Sequence, residues 1–300
     1  MENLIRFGEK FFDELEIAVY CSREVSANVE LNEISMASTR SGGALTIIRG
    51  IKDKRLGLAI VDSDEQEKVK EAIEQAAKMA KLNSPDETWV SLPEPGKYRE
   101  KPKPNYELKE ASPDILVEKL VRGGIKLARE KDKNAVVAGG ASGGVSWEER
   151  HVLNSHGLDV FQEGGAAYMY LELVGRKGSV VTPGIFDFDA RRDLDLDVEG
   201  VVERAVQKVG WAYNVVTSKN EEVPLVFGPW AIAGLFSYAL LPAFSGERLV
   251  KETTPLAGKV GEKIASEVIT LYDDPLHPLS LEPPHSRWRG RPPHEEERPH

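Results

Sequence analysis

The chain has 300 residues, 41% hydrophobic and 29% charged, so it can bury a sizeable core and does not read as disordered. Its formal net charge of −10 and isoelectric point near 5.3 argue against a general nucleic-acid coat or a binder of anionic membranes. A single cysteine, Cys21, rules out an internal disulfide framework and favours a cytoplasmic location.

The opening stretch MENLIRFGEKFF has an apolar part broken by charges, which is not a signal peptide; a helix is expected over Glu2 to Leu15. The strand-like runs LEIAVYCS, SANVELNEIS, GALTIIRG and RLGLAIVDS follow, as in an antiparallel meander. Cys21 lies in the first and reads as a small, half-buried strand residue. An amphipathic helix comes next. Val69, Ala72, Ile73, Ala76, Ala77 and Ala80 recur at helical spacing, and Ser63 with Gln66 forms a capping-box pattern.

A Pro- and Lys-rich stretch from about residue 93 to 111 reads as a surface linker. Ser112 and Pro113 restart the chain as N-cap and first helical residue, and that helix is expected to reach about Asp132. Further strand-like runs follow: NAVVAGG, GGVSWEERHVLNS, LDVFQEG, AAYMYLELVG and GSVVTPG. A second amphipathic helix carries the stripe Val198, Val201, Val202, Ala205, Val206 and Val209. Helix, strands, helix thus occurs twice, which suggests two related halves or one sheet fed by two similar blocks. The expected fold class is α+β, with antiparallel or mixed sheets and flanking helices. VPLVFG (Val223 to Gly228) then reads as a buried strand. GPWAIAGLFSYALLPAFSGERL reads as a short buried helix, opened by Gly228 and Pro229 and stopped at Pro242. The uncharged run from Pro224 to Ser245 is too interrupted to predict a membrane span.

Few residues suggest chemistry by pattern alone. His151 and His156 flank an Asn154-Ser155 turn and read as surface histidines near a hairpin rather than a metal pair. AGGASGGVSW lacks the Gly-Lys-Ser/Thr ending of a phosphate loop. Asp187, Asp189, Asp193, Asp195 and Asp197 lack the glycine and terminal Glu of a calcium loop and read as a solvated loop before a helix. No G-x-S-x-G elbow, H-E-x-x-H helix or Cys-x-x-Cys pair occurs.

The segment LVFGPWAIAGLFSYALLPAFSGERLVKETTPLAGKVGEKIASEVITLYDDP resembles the TldD/PmbA family, also called modulators of DNA gyrase. The strand ending in Gly-Pro, the apolar helix, then SGE, LAGKVGEKIAS and ITLYDDP carry the likeness, and the opening strands and HVLNSHGLDVFQE agree with it. The resemblance spans the chain to about Pro284. It implies an N-terminal α+β domain over 1–217 and the start of a C-terminal domain over 218–284, with that domain incomplete and an aberrant or disordered tail over 285–300.

TldD-like members of the family carry H-E-x-x-x-H on this helix, where two imidazoles and a later thiolate hold Zn²⁺ and the Glu serves as base. Alignment on Ser245-Gly246-Glu247 sets Ser237 and Tyr238 at the first His-Glu pair and Pro242 at the second His. The helix then looks like the blank counterpart of a catalytic one, and the chain like the PmbA/TldE arm. The resemblance implies a non-catalytic subunit with no catalytic, cofactor or metal residue of its own. It would pair as a heterodimer with a TldD-like, Zn-bearing subunit in a metalloprotease for unfolded or extended peptides, holding peptide by strand addition. No membrane or direct nucleic-acid contact is expected.

The tail EPPHSRWRGRPPHEEERPH reads either as a disordered His-containing segment or as a slipped reading frame. Dropping one base from suitable codons for Arg287 onward gives a stretch similar to the family's D-x-E-G-x-P-T-x-R turn. Two rival functions remain at this point: a metallopeptidase with a different site, using His151, His156 or His277, and a binding protein acting on DNA gyrase.

Overall fold

A computed structural model of the chain describes residues 1–30, 33–96, 104–214, 216, 217, 219–271, 277 and 281. The tail from Arg287, with its two readings, lies outside the described residues. The chain divides into two compact units, Met1–Val215 with Pro275–His300, and Val216–Asp274.

The first unit opens with α1 (Glu2–Gly8), shorter than the expected helix, because the chain turns and enters β1 (Glu14–Glu30). This 17-residue strand absorbs two runs that the sequence separates. It pairs antiparallel with β2 (Glu33–Ser41) along its second half and with β3 (Leu45–Lys52) along its first. β2 and β3 are therefore one lane, interrupted by Gly42 and Gly43. A two-residue turn links β3 to β4 (Arg55–Val61). Its residues Asp53 and Lys54 take φ of 48° and 58°, the twist a tight hairpin needs. α2 (Gln66–Leu82) then packs back on β3 and β4. A Cβ on Gly57 would lie 2.1 Å from the Ala76 carbonyl oxygen, so glycine sets how closely helix and strand approach.

The second block repeats this order. After α3 (Glu107–Glu110), α4 (Pro113–Ile115) continues through a π-helical stretch (Leu116–Arg122) into α5 (Gly123–Lys131). β5 (Ala135–Asn154) and β6 (Asp159–Lys177) form a long hairpin, again merging runs that looked separate. β7 (Val180–Val181) and β8 (Ile185–Arg191) share the lane beyond β6, and α6 (Val198–Ala212) closes the block. Among the described residues the strands form one antiparallel sheet in the order β4-β3-β1-β5-β6-β7, with β2 on β1 and β8 on β6. The α+β class and the antiparallel sheet with flanking helices are as expected.

β1 explains the two cores. Leu15, Ile17 and Val19 pack with α1 and α2, whereas Val25, Ala27 and Val29 pack with the second block's helices. All six have odd numbers, so both helix groups cover the same face of the sheet. Both amphipathic stripes face these cores, with Val198 and Val206 only half-buried. Among the described residues the opposite face carries a small cluster of Ala18, Val152 and Leu158.

Two local expectations fail. Ser63 does not cap α2: Glu65 is its N-cap residue, and Ser63 Oγ accepts from Glu65 N at 3.1 Å inside the turn before it. Nor are Asp187 and Asp189 in a solvated loop. Both lie on β8, and Asp187 is 4% exposed because the side chains of α6 cover it.

The second unit holds α7 (Pro229–Leu235), a π-turn (Phe236–Leu240), a 3-10 turn (Leu241–Phe244) and α8 (Gly246–Val250). Val223 to Gly228 is not a strand, and Leu225 and Val226 are 71% and 99% exposed. A strand needs a neighbour to exchange hydrogen bonds with, and this unit has no strand among its described residues. The helix after it is likewise not buried, with Leu235, Leu241 and Phe244 all exposed.

Candidate functional site

The segment Gly228–Val250 is where the sequence points to a site. Gly228 is extended, and Pro229 starts α7 at the position where its missing N–H costs nothing. Downstream, Pro242 has no N–H to give to the Tyr238 carbonyl, and its ring crowds that turn. The backbone answers by widening to a π-turn at Phe236–Leu240 and tightening to a 3-10 turn at Leu241–Phe244. Thr254, 7% exposed, donates its hydroxyl to the Ala243 carbonyl at 2.8 Å and so fastens the loop after α8 to the 3-10 turn.

Both turns bear on spacing. In an α-helix, residues five apart lie about 140° apart around the axis. The π-turn turns less per residue, but the 3-10 turn that holds Pro242 turns more, so between positions 237 and 242 the two offset each other. The side chains at these positions supply no pair of metal ligands. Ser237 and Tyr238 are exposed, Tyr238 at 89%, and their neutral hydroxyls are poor Zn²⁺ donors; Pro242 has no donor atom. These residues do not fit a zinc ion. The nearby carboxylate of Glu247 is engaged by Lys251 at 2.7 Å.

The histidines lie elsewhere. His151, on β5, sets Nε2 2.7 Å from Asp159 Oδ1 and stands edge-on to Phe161. His156, in the β5–β6 turn, lies 3.3 Å from Glu14 Oε2. Asn154 Oδ1 accepts from the backbone N–H of both His156 and Leu158 and holds that turn together. His277 is exposed. Among the described residues no three His, Cys, Asp or Glu side chains gather to hold an ion. Cys21 sits half-buried on β1, and burial, with Asp64 and Glu149 adding to it, pushes its thiol above the ordinary range. Asp197 caps α6 through Gly200 N at 2.9 Å, as its place at the helix start suggested.

Sequence reading missed three polar arrangements. Glu14 ties down the stretch after α2, accepting from Trp89 Nε1 at 2.8 Å and from Leu92 N at 2.6 Å. Glu16 and Arg49 form a buried pair at 2.9 Å, and burial outweighs the arginine, raising the Glu16 carboxyl above its usual range. Asp187 receives Arg204 at 3.1 Å and Lys208 at 2.7 Å. The only prior signal was an acidic or basic residue within an otherwise apolar strand.

Three domain models of the PmbA/TldA metallopeptidases match in chain order: domain 1 over residues 15–80, the central domain over 106–213 and the C-terminal domain over 220–286. The chain belongs to the PmbA/TldD family. Its resemblance extends to the crystal structure of TldE from Thermococcus kodakarensis, 92% identical with a TM-score of 0.90, covering 94% of this chain and 63% of that one. Protein MJ0231 of Methanocaldococcus jannaschii is 31% identical over 283 residues, covering 91% of this chain and 61% of its own length. The chain therefore spans under two thirds of these PmbA/TldD relatives. A Thermotoga maritima protein described as a candidate modulator of a DNA gyrase shares the fold, with a TM-score of 0.78 at 18% identity. No helix among the described residues is long and apolar enough to cross a membrane.

Proposed function

We propose that this chain is the non-catalytic, PmbA/TldE-like subunit of a cytoplasmic TldD/TldE-type metalloprotease acting on unfolded or extended peptides. The observation that carries this reading is the segment Phe236–Phe244. Positions 237, 238 and 242, where the catalytic arm of the family carries His, Glu and His, bear Ser, Tyr and Pro. The high identity to a TldE chain supports the same arm of the family. Zinc and the water-activating carboxylate belong to a TldD-like partner, and this chain contributes surface to the enclosure and holds peptide by strand addition.

Co-expression with a TldD-like protein tests the reading. The two chains are expected to co-purify and to cleave an unfolded peptide that this chain alone leaves intact. Stoichiometric zinc in the isolated chain, together with peptide cleavage, overturns it and favours a site of its own.

A further inference from the structure

α2 and the run Pro113–Lys131 present solvent faces of opposite charge, each with its charges three or four residues apart and so along one side of the helix. Laid antiparallel, the faces match at four successive positions: Glu67 opposite Arg129, Glu71 opposite Lys126, Glu74 opposite Arg122 and Lys78 opposite Glu118. All eight side chains are exposed. The single reversed sign in one series meets the single reversed sign in the other, so the match extends beyond a general attraction of acid for base. The basic series lies along the exposed side of its helix, beside the buried Ile125.

Within one molecule this complementarity goes unused. The ion pairs these residues make are local: Glu67 with Lys70, Arg122 with Glu118 and Lys126 with Glu130. Each joins residues three or four apart on one helix, and such exposed pairs exchange readily. No ion pair among the described residues joins the two series. We infer that this basic helix face of one copy of the chain receives α2 of a second copy, antiparallel and in the register given above. This inference is independent of the proposed function, because neither series lies on the segment that carries that reading. An acidic helix of the right spacing suits this face better than a phosphate chain, since Glu118 and Glu130 interrupt the run of cations and would repel phosphates. A ladder of exposed ion pairs is weak and screened by salt.

Sedimentation equilibrium on the full chain tests this. Self-association is expected at about 0.05 M salt, with the dissociation constant rising at least about tenfold by about 0.5 M. Glu71→Lys with Glu74→Lys should abolish it, as should Lys126→Glu with Arg129→Glu, both variants keeping the wild-type circular dichroism. Mixing the two charge-reversed proteins should restore association, because each supplies the face the other then lacks. A chain that stays monomeric at low salt, variants that associate like the wild type, or a mixture that fails to associate overturns the inference. So does association that strengthens with salt, the behaviour of apolar contact.

Discussion

The two units use apolar residues in opposite ways. In Met1–Val215, both helical stripes and the odd-numbered side chains of β1 converge on two cores. In Val216–Asp274, Leu225, Val226, Tyr238, Leu241, Val250, Val260, Val268 and Ile269 are all exposed, and the buried residue among those described is the polar Thr254. The amino acids are similar; the difference is whether a second layer exists for them to pack on. Stability should therefore be concentrated in the first unit, and substitutions there should matter most.

The sharpest contrast is between Leu171→Ala and Leu225→Ala. Leu171 has no exposed surface, so its truncation should cost about 2–5 kcal/mol in urea denaturation. Leu225 should change stability by about 0.5 kcal/mol or less; a comparable loss at both sites would erase the distinction. Arg49→Ala comes next. It strands the Glu16 carboxylate in the sheet and should cost about 3–5 kcal/mol near neutral pH. The sign of the pH effect is fixed. Burial raises the folded Glu16 pKa, so the stranded charge is lost as pH falls through that value, and the penalty should shrink in acid. A penalty that grew in acid would contradict the assignment. Asp187→Ala should cost less, about 1–3 kcal/mol, because Arg204 and Lys208 are partly exposed and can rehydrate. Asp197→Ala, which removes one cap from α6, should cost about 1 kcal/mol and lower helicity at the domain's midpoint of unfolding.

Legibility in the sequence followed the range of the forces. The stripe of α2, from Val69 to Ala80, was readable because helical spacing lies within the helix itself. The division of β1 between two cores was not, since Arg23 to Val25 fall between two strand-like runs until β5 is seen pairing straight across them. Ser63 and Gln66 satisfied a capping pattern, yet the turn placed Glu65 at the cap. Asp187 looked solvated among other acids until α6 brought Arg204 and Lys208 over it. At the candidate site, the missing imidazoles were plain from Ser237, Tyr238 and Pro242. The change from π-turn to 3-10 turn around them was not.

The sequence by itself determined the helical stripes, the α+β class, the family likeness and the absence of zinc donors at positions 237, 238 and 242. Each of these depends on residue identity or on spacing within one segment. Tertiary structure alone decided where strands run unbroken, which carboxylates are buried and whether an apolar run such as Val223–Phe227 finds cover. A strand exists only beside another strand, and burial is a property of whatever packs on top.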